Sequence, residues 1–114
     1  MAQPLTQPEP PYLLRHDASG VTTLTLNRGD RLNPLSEAMM SALQTELDAI
    51  AADHSVRVVV VAGEGKAFCA GHDLKQMRAQ PALDYYQKLF KQCSHLMLSL
   101  QRLPQPVIAR VHGL

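Results

Sequence analysis

The sequence predicts an α/β fold, in which helices pack on a β-sheet. Two β-prone runs near the start of the chain flank a short stretch of turn-forming residues. An amphipathic helix pattern comes next and leads to four consecutive valines, Val58 to Val61, which are typical of a strand buried on both faces of a helix-covered parallel sheet. Because a strand, a helix and a buried strand follow one another, the chain predicts a βαβ unit.

The first element is predicted to be a β-hairpin. Its strands are Tyr12 to His16 and Val21 to Asn27, and the four residues between them, 17–20, have turn chemistry. In the second strand, Thr22, Leu24 and Leu26 are expected to share one face. Residues 1–11 contain four prolines, so we expect an extended or disordered tail before a single domain over residues 12–114.

Two helices are predicted from spacing. Ser36 is a candidate N-cap for the first, whose apolar positions recur every three or four residues. These positions are Met40, Leu43, Leu47 and Ile50. The second helix runs from about Ala82 to Leu103 and is ended by Pro104 and Pro106. Its stripe comprises Tyr86, Leu89, Cys93, Leu96, Leu100 and Leu103. A short buried strand is expected over residues 107–111.

Composition excludes several classes of function. The net charge is +1 with acids and bases scattered, so neither nucleic acid nor an anionic membrane surface is an expected partner. The longest apolar run, 58–62, is far too short to span a bilayer. No targeting signal is readable, and Cys69 and Cys93 lack metal-ligand spacing with the histidines. We therefore expect a cytoplasmic protein with reduced thiols and no metal.

Chemistry is predicted in the connection after the valine strand. Residues 63–74 include three glycines and lie at the carboxyl end of a strand, the edge where open α/β sheets bind ligands. Gly71 permits a positive φ, and Asp73 suits the start of a short helix. Backbone N–H groups at such a helix start can stabilise an acyl oxygen that gains negative charge. A plain chain-turning loop is the competing interpretation.

Five sequence blocks raise the weight of the functional interpretation. They are Thr23-Leu-Thr-Leu-Asn-Arg28, Leu32-Asn-Pro-Leu-Ser36, Arg57-Val-Val-Val-Val-Ala-Gly63, Lys66-Ala-Phe-Cys-Ala-Gly-His-Asp-Leu74 and Pro106-Val-Ile-Ala-Arg-Val-His-Gly113. In order and spacing the chain resembles the N-terminal part of the crotonase (enoyl-CoA hydratase/isomerase) superfamily. This resemblance implies a crotonase-like ββα-type spiral, truncated after its first elements. It also implies an acyl-CoA thioester as substrate, with coenzyme A as part of that substrate and no separate cofactor.

The resemblance also assigns candidate site residues. The backbone N–H of His72 would be one donor of the family's oxyanion hole, while Ala70, Asp73 and Leu74 would line the adenine side of coenzyme A. Basic candidates for the coenzyme's phosphates are Lys75, Arg28 and Arg31. The chain departs from the family in having Gly29 where proline is usual and a histidine at the donor position. Glu64 receives no catalytic role, because exposed turn acids usually face solvent.

The sequence and the resemblance leave open whether residues 1–114 catalyse a reaction. The family's second oxyanion amide and its acid/base carboxylates lie beyond the block that ends at Gly113. One hypothesis is therefore an enoyl-CoA hydratase or isomerase, with hydration of a trans-2-enoyl-CoA as the family reaction. A second is an inactive fragment with at most coenzyme A binding or a packing role, and a third is an unrelated nucleotide-binding α/β module. Family members form trimers or hexamers, which implies a homo-oligomer and predicts association through surfaces left uncovered.

Overall fold

The computed structural model describes residues 9–113, which form a four-stranded sheet with helices on one face. In chain order the strands are β1 (Leu13–Ala18), β2 (Val21–Leu26), β3 (Val58–Gly63) and β4 (Val107–Ala109), and they keep this order in the sheet. β1 is antiparallel to β2, whereas β2, β3 and β4 are mutually parallel. The α/β prediction is confirmed.

The helices are α1 (Glu37–Ala51), α2 (Leu74–Ala79) and α3 (Leu83–Arg102), with a short 3-10 turn at Gly29–Arg31. Since α1 joins the parallel strands β2 and β3, the predicted βαβ unit is present. Among residues 9–113 no helix is long and apolar enough to cross a membrane.

The hairpin turn is tighter than predicted. β1 continues through Asp17 to Ala18, which pairs with Val21, so only Ser19 and Gly20 remain in the turn. Both turn residues have positive φ, 51° and 81°. Two-residue turns with left-handed backbone at both positions match the twist of the flanking strands, which explains the shorter connection.

Helix α1 begins directly after Ser36, the predicted N-cap. The Ser36 hydroxyl accepts a hydrogen bond from the Met39 N–H at 3.1 Å, which satisfies one of the free donors of the first turn. At the other end the Gln105 side chain donates to the carbonyl oxygens of Ile50 and Asp53. All four predicted apolar positions of α1 are buried, together with Met39.

The core lies between one face of the sheet and the pair α1 and α3. Thr22, Leu24 and Leu26 are all buried, as their shared face predicts. They are joined by Val59, Leu89 and Leu96 and by the apolar side of α1. Burying these aliphatic side chains supplies the main driving force for folding.

The opposite face of the sheet is open in the described part of the chain. Val21 and Ile108 lie there with 38% and 54% of their surfaces exposed, and Val60 beside them is half-buried. The prediction that β3 is buried on both faces is therefore met only in part, because on this side Val58 and Val60 are half-buried while Ala62 is buried. Both packed helices lie on the Val59 side, so the valine run on the other side lacks a covering layer.

The strand predicted over residues 107–111 is shorter than expected, and it is mostly exposed rather than buried. β4 ends at Ala109, although the Arg110 N–H still donates to the Val61 carbonyl at 2.8 Å. The chain then leaves the ladder and runs to Gly113, which forms an isolated bridge with Ala67. Residues 1–8 of the predicted proline-rich tail lie outside the described residues, and Pro10 and Pro11 belong to no helix or strand.

Candidate functional site

The donor loop is the segment that links β3 to α2, from the last strand residue, Gly63, to Asp73. It begins with a close approach that only glycine permits. A Cβ on Gly63 would lie 2.5 Å from the Phe68 carbonyl oxygen and 2.9 Å from its Cα. Both contacts are shorter than van der Waals contact, so a side chain at Gly63 would force the loop away from the strand end.

Asn33 fixes the donor loop from beneath. This side chain is fully buried, and its Oδ1 accepts from the Arg28 N–H at 2.7 Å. Its Nδ2 donates to the carbonyl oxygens of Glu64 and Ala67, at 2.9 and 3.0 Å. Because each of these backbone groups would otherwise be left without a partner, one amide side chain couples the loop to the segment after β2.

Sequence reasoning missed this role of Asn33. The one signal in the sequence is its place in Leu32-Asn-Pro-Leu-Ser36, one of the five blocks that carry the family resemblance. Leu32 and Asn33 have φ of 65° and 51°, a left-handed conformation in which asparagine is better tolerated than most residues. The partners of Asn33 in the donor loop, Glu64 and Ala67, lie 31 and 34 residues away in the chain, so no local spacing predicts them.

Two further segments hold the donor loop along its length. On one side the Ala70 N–H donates to the Leu32 carbonyl at 2.9 Å, and the Leu35 N–H donates to the Gly71 carbonyl at 2.8 Å. On the other side the Phe68 N–H donates to the carbonyl of His112 at 3.1 Å. The loop is therefore pinned by main-chain hydrogen bonds from both flanks.

The end of the donor loop presents a free main-chain donor. Gly71 has φ of +93°, and a Cβ there would meet no atom within 4 Å, so its backbone conformation rather than crowding favours glycine. Asp73 caps α2 by accepting from the Gln76 N–H at 3.0 Å. Between them, the His72 N–H has no hydrogen-bond partner within residues 9–113.

The His72 imidazole packs rather than pairs. Its ring lies edge-to-face with Phe90 of α3, with centroids 5.6 Å apart and planes at 86°. The Nδ1 atom is buried and has no hydrogen-bond partner in the described part of the chain. This places the side chain against α3, so the packing of the imidazole does not involve the backbone N–H of His72.

The predicted ligand-binding residues fall into two groups. Ala70, Leu74 and Lys75 are exposed on the loop and α2, with Leu74 66% exposed. Arg28 and Arg31 lie on the other side of the loop, and both border a cleft of about 160 Å³. That cleft is lined by Tyr12, Arg28, Arg31, Pro34, Ser36, Ala38, Asp73 and Gln76. The structure thus brings the two arginines close to Asp73 but leaves Lys75 outside this cleft.

An apolar cleft of about 290 Å³ borders the base of the donor loop. Its lining comprises Leu26, Leu35, Leu43, Val61, Phe68, Cys69, Leu96, Met97, Leu100, Val107 and Ala109. Glu64, by contrast, has an exposed side chain and contributes its main-chain carbonyl to the Asn33 contact. No group of three or more histidine, cysteine, aspartate or glutamate side chains within residues 9–113 could hold a metal ion.

Comparison with known proteins identifies the family of the chain. The family profile for enoyl-CoA hydratase/isomerase matches residues 21–114. The mitochondrial enoyl-CoA hydratase domain-containing protein 3 of Xenopus laevis is 36% identical over 91% of this chain and 35% of its own length. The 1,2-epoxyphenylacetyl-CoA isomerase of Escherichia coli is 36% identical over 90% of this chain and 40% of its own.

A solved structure shows the same fold at higher identity. The crystal structure of an enoyl-CoA hydratase from Mycobacterium smegmatis is 60% identical and superposes with a TM-score of 0.89. The match covers 91% of this chain and 41% of that protein. The chain therefore spans well under half the length of these relatives, and its elements correspond to part of their fold.

Proposed function

Because the chain belongs to the enoyl-CoA hydratase/isomerase family, we propose that its donor loop binds an acyl-CoA thioester and polarises the thioester carbonyl. The donor is the His72 N–H. The observation that carries this proposal is that this N–H has no partner within residues 9–113, in a loop where the Ala70 N–H donates to Leu32, the Gly71 carbonyl accepts from Leu35 and the Phe68 N–H donates to His112. A free donor on a fixed backbone suits an oxygen that becomes more negative during reaction.

The chemistry proposed for the complete site is hydration of a trans-2-enoyl-CoA. The oxygen of water adds to the β-carbon while the water gives up one proton, the negative charge of the intervening enolate rests on the thioester oxygen, and the α-carbon then gains one proton. The His72 N–H would stabilise that oxygen more strongly in the enolate than in the substrate, which lowers the barrier. Water delivery and α-carbon protonation need positioned acid/base groups. None is assigned here to residues 1–114.

The coenzyme is proposed to lie across the exposed side of the loop. Backbone groups of Ala70, Asp73 and Leu74 would contact the adenine, and exposed Lys75 would lie near a phosphate. Main-chain recognition of this kind does not depend on side-chain identity, so the substitution of histidine for a small residue at position 72 is compatible with it. Packing of the imidazole on Phe90 supports this division between side chain and backbone.

A proline substitution tests the donor directly. His72→Pro removes the N–H, whereas His72→Ala removes the imidazole and keeps the N–H. We expect the isotope-labelled carbonyl band of bound crotonyl-CoA to shift to lower frequency in the wild type and nearly as far in His72→Ala. In His72→Pro most of the shift should be lost. Equal shifts in the two variants, measured by difference infrared spectroscopy on protein that binds the ligand, would refute the donor assignment.

Two further measurements separate the competing hypotheses. Turnover of crotonyl-CoA by residues 1–114, followed as loss of enoyl absorbance, would exclude the inactive fragment. Its absence together with crotonyl-CoA binding would mean that these residues bind but do not complete the reaction. Titration with coenzyme A, ATP and NAD tests the ligand class, and tighter binding of ATP or NAD would overturn the acyl-CoA proposal.

A further inference from the structure

The first turn of the donor loop, residues 64–65, is called the tip below and contacts two segments that are distant in the chain. One is the 3-10 turn, where a Cβ on Gly29 would come to 2.6 Å from the Glu64 carbonyl oxygen. The other is the segment after β4, where the Nε2 atom of His112 lies 2.6 Å from the Gly65 carbonyl oxygen. The place of the tip therefore depends on both segments.

Contact between the tip and Gly29 is main chain against main chain. A Cβ built on Gly65, whose φ is +85°, would lie 3.0 Å from the Gly29 Cα. A side chain at either glycine would therefore force the tip away from the 3-10 turn. Asn33 holds the first residue of the tip through the Glu64 carbonyl. Within residues 9–113 the second, Gly65, has one hydrogen bond, and it comes from His112.

His112 holds the loop through its side chain and its main chain. A carbonyl oxygen can only accept, so the Nε2 atom of His112 carries the proton and donates it to Gly65. The His112 carbonyl in turn accepts from the Phe68 N–H at 3.1 Å, and Gly113 forms the bridge with Ala67. The imidazole is the part of this contact that can be removed without changing the backbone.

The tip is coupled to the proposed donor through the segment after β2. Gly29, against which the tip packs, belongs to the same short segment as Leu32 and Leu35. Those two residues bond the main chain of Ala70 and Gly71, directly before His72. A tip that leaves Gly29 is therefore expected to disturb the contacts that place the His72 N–H.

We propose that His112 is a positioning residue, whose imidazole holds the tip against Gly29 and thereby fixes the place of the His72 N–H. This inference rests on the proposed function, in which that N–H polarises a thioester carbonyl. His112 itself does not contact the ligand. Because a hydrogen bond weakens steeply as its distance and angle depart from the optimum, a small displacement of the loop should reduce the polarisation.

The test compares two substitutions of His112 in the full chain. His112→Gln keeps a side-chain N–H for the Gly65 carbonyl, whereas His112→Leu has no donor. His112 is exposed, so both variants should fold. We expect the carbonyl band of bound crotonyl-CoA to lose about half of its wild-type shift in His112→Leu and to regain most of it in His112→Gln. His54→Leu, at an exposed histidine in the turn before β3, is the matched control and should leave the band unchanged.

A second measurement needs no ligand. In the free protein, the amide resonances of Phe68, Ala70 and His72 report the main-chain geometry of the donor loop. We expect His112→Leu to shift all three and to speed hydrogen exchange of the Phe68 N–H about 10-fold, with little change in His112→Gln. Gly29→Ala, which displaces the tip from its other contact, should shift the same resonances.

The outcomes separate this inference from the proposed function. Unchanged amide resonances in His112→Leu, or changes as large in His54→Leu, would show that His112 does not hold the loop. Shifted resonances with an unchanged carbonyl band would refute its effect on the donor, and equal losses in His112→Leu and His112→Gln would refute the role of the hydrogen bond. Failure of the proposed function would appear in the wild type, as a carbonyl band that does not shift on binding, whereas failure of the inference appears in the variants.

Discussion

The donor loop contrasts with the strap corner, in which residues 9–12 (the strap) cover the Arg28 side chain at the end of β2. The two regions hold their polar groups in different ways. Buried Asn33 and main-chain hydrogen bonds from both flanks fix the donor loop, so its geometry is set when the chain folds. In the strap corner, the half-buried side chain of Arg28 is held by carbonyl oxygens and an aromatic ring at the surface. Changes in the loop should therefore cost stability, whereas changes in the corner should alter binding and leave the fold intact.

Replacing Asn33 by alanine should give the largest effect. It leaves three backbone groups without their partner and places alanine at a φ of 51°. We expect a loss of about 3 to 4 kcal/mol in the free energy of unfolding, measured by urea titration. Asn27→Ala removes one exposed hydrogen bond to Pro11 in the strap corner and should cost about 0.5 kcal/mol.

If Asn33→Ala and Asn27→Ala lost equal amounts of unfolding free energy, the donor loop would not be held more firmly than the strap corner. The same pair can be compared in ligand titrations of folded protein. Asn27→Ala should weaken coenzyme A binding by loosening the strap even though its stability is nearly unchanged.

Two glycines of the donor loop allow the effects of crowding and of backbone conformation on stability to be compared. Gly63→Ala would bring a Cβ to 2.5 Å from the Phe68 carbonyl oxygen, and we expect destabilisation of about 2 to 3 kcal/mol from the forced shift. Gly71→Ala meets no atom within 4 Å but must adopt a φ of +93°, which should cost about 1 to 2 kcal/mol. Thermal unfolding of both variants measures the difference.

If Gly71→Ala proved the more damaging to stability, packing at the strand end would not be what fixes the loop. For ligand binding we expect the opposite order, with Gly71→Ala more harmful than Gly63→Ala, because Gly71 directly precedes the proposed donor. We therefore expect Gly71→Ala to reduce crotonyl-CoA binding more than its small loss of stability accounts for.

The comparison also shows which features can be predicted from sequence. Elements held by their own periodicity or caps were predicted well, as Ser36 at the start of α1 and Asp73 at the start of α2 illustrate. The contacts of Asn33 and of Arg28 with Pro10 were not, because they join segments that are distant in the chain. Residue spacing predicts where a helix or strand lies and which of its side chains are buried. It does not predict which distant residue a single polar group will bond to.

The valine run shows a second reason for partial prediction. Four consecutive valines correctly indicated a central strand, but the sequence pattern does not state which layer covers each face. In residues 9–113 the Val59 face is covered by α1 and α3 while the face with Val60 is open. The resemblance supplied the donor position at His72, and that assignment, like the cytoplasmic location, stays a prediction.

A third region, at the far end of the hairpin, is expected to give the smallest effect on stability. It serves as a control for the donor loop and the strap corner. The Asp17 carboxylate accepts hydrogen bonds from the Arg15 guanidinium and from the buried Thr22 hydroxyl, and these lower the pKa of Asp17 below its ordinary value. A lowered folded-state pKa means that the unfolded chain binds more protons in acid. The stabilisation is thus present above the unfolded-state pKa, near pH 4, and is lost as pH falls through the folded-state pKa.

Asp17→Asn removes this pH-dependent contribution without touching the donor loop or the strap. We expect its melting temperature to lie slightly below that of the wild type at neutral pH, and the difference to shrink as pH falls below about 4. Asp30→Asn, at an exposed aspartate without a hydrogen bond in the described residues, is the matched control for the loss of one carboxylate. Asp17 is exposed and screened by solvent, so the expected effect is small. A difference in melting temperature that stayed constant down to about pH 2 would show that the ionised Asp17–Arg15 contact contributes nothing to stability.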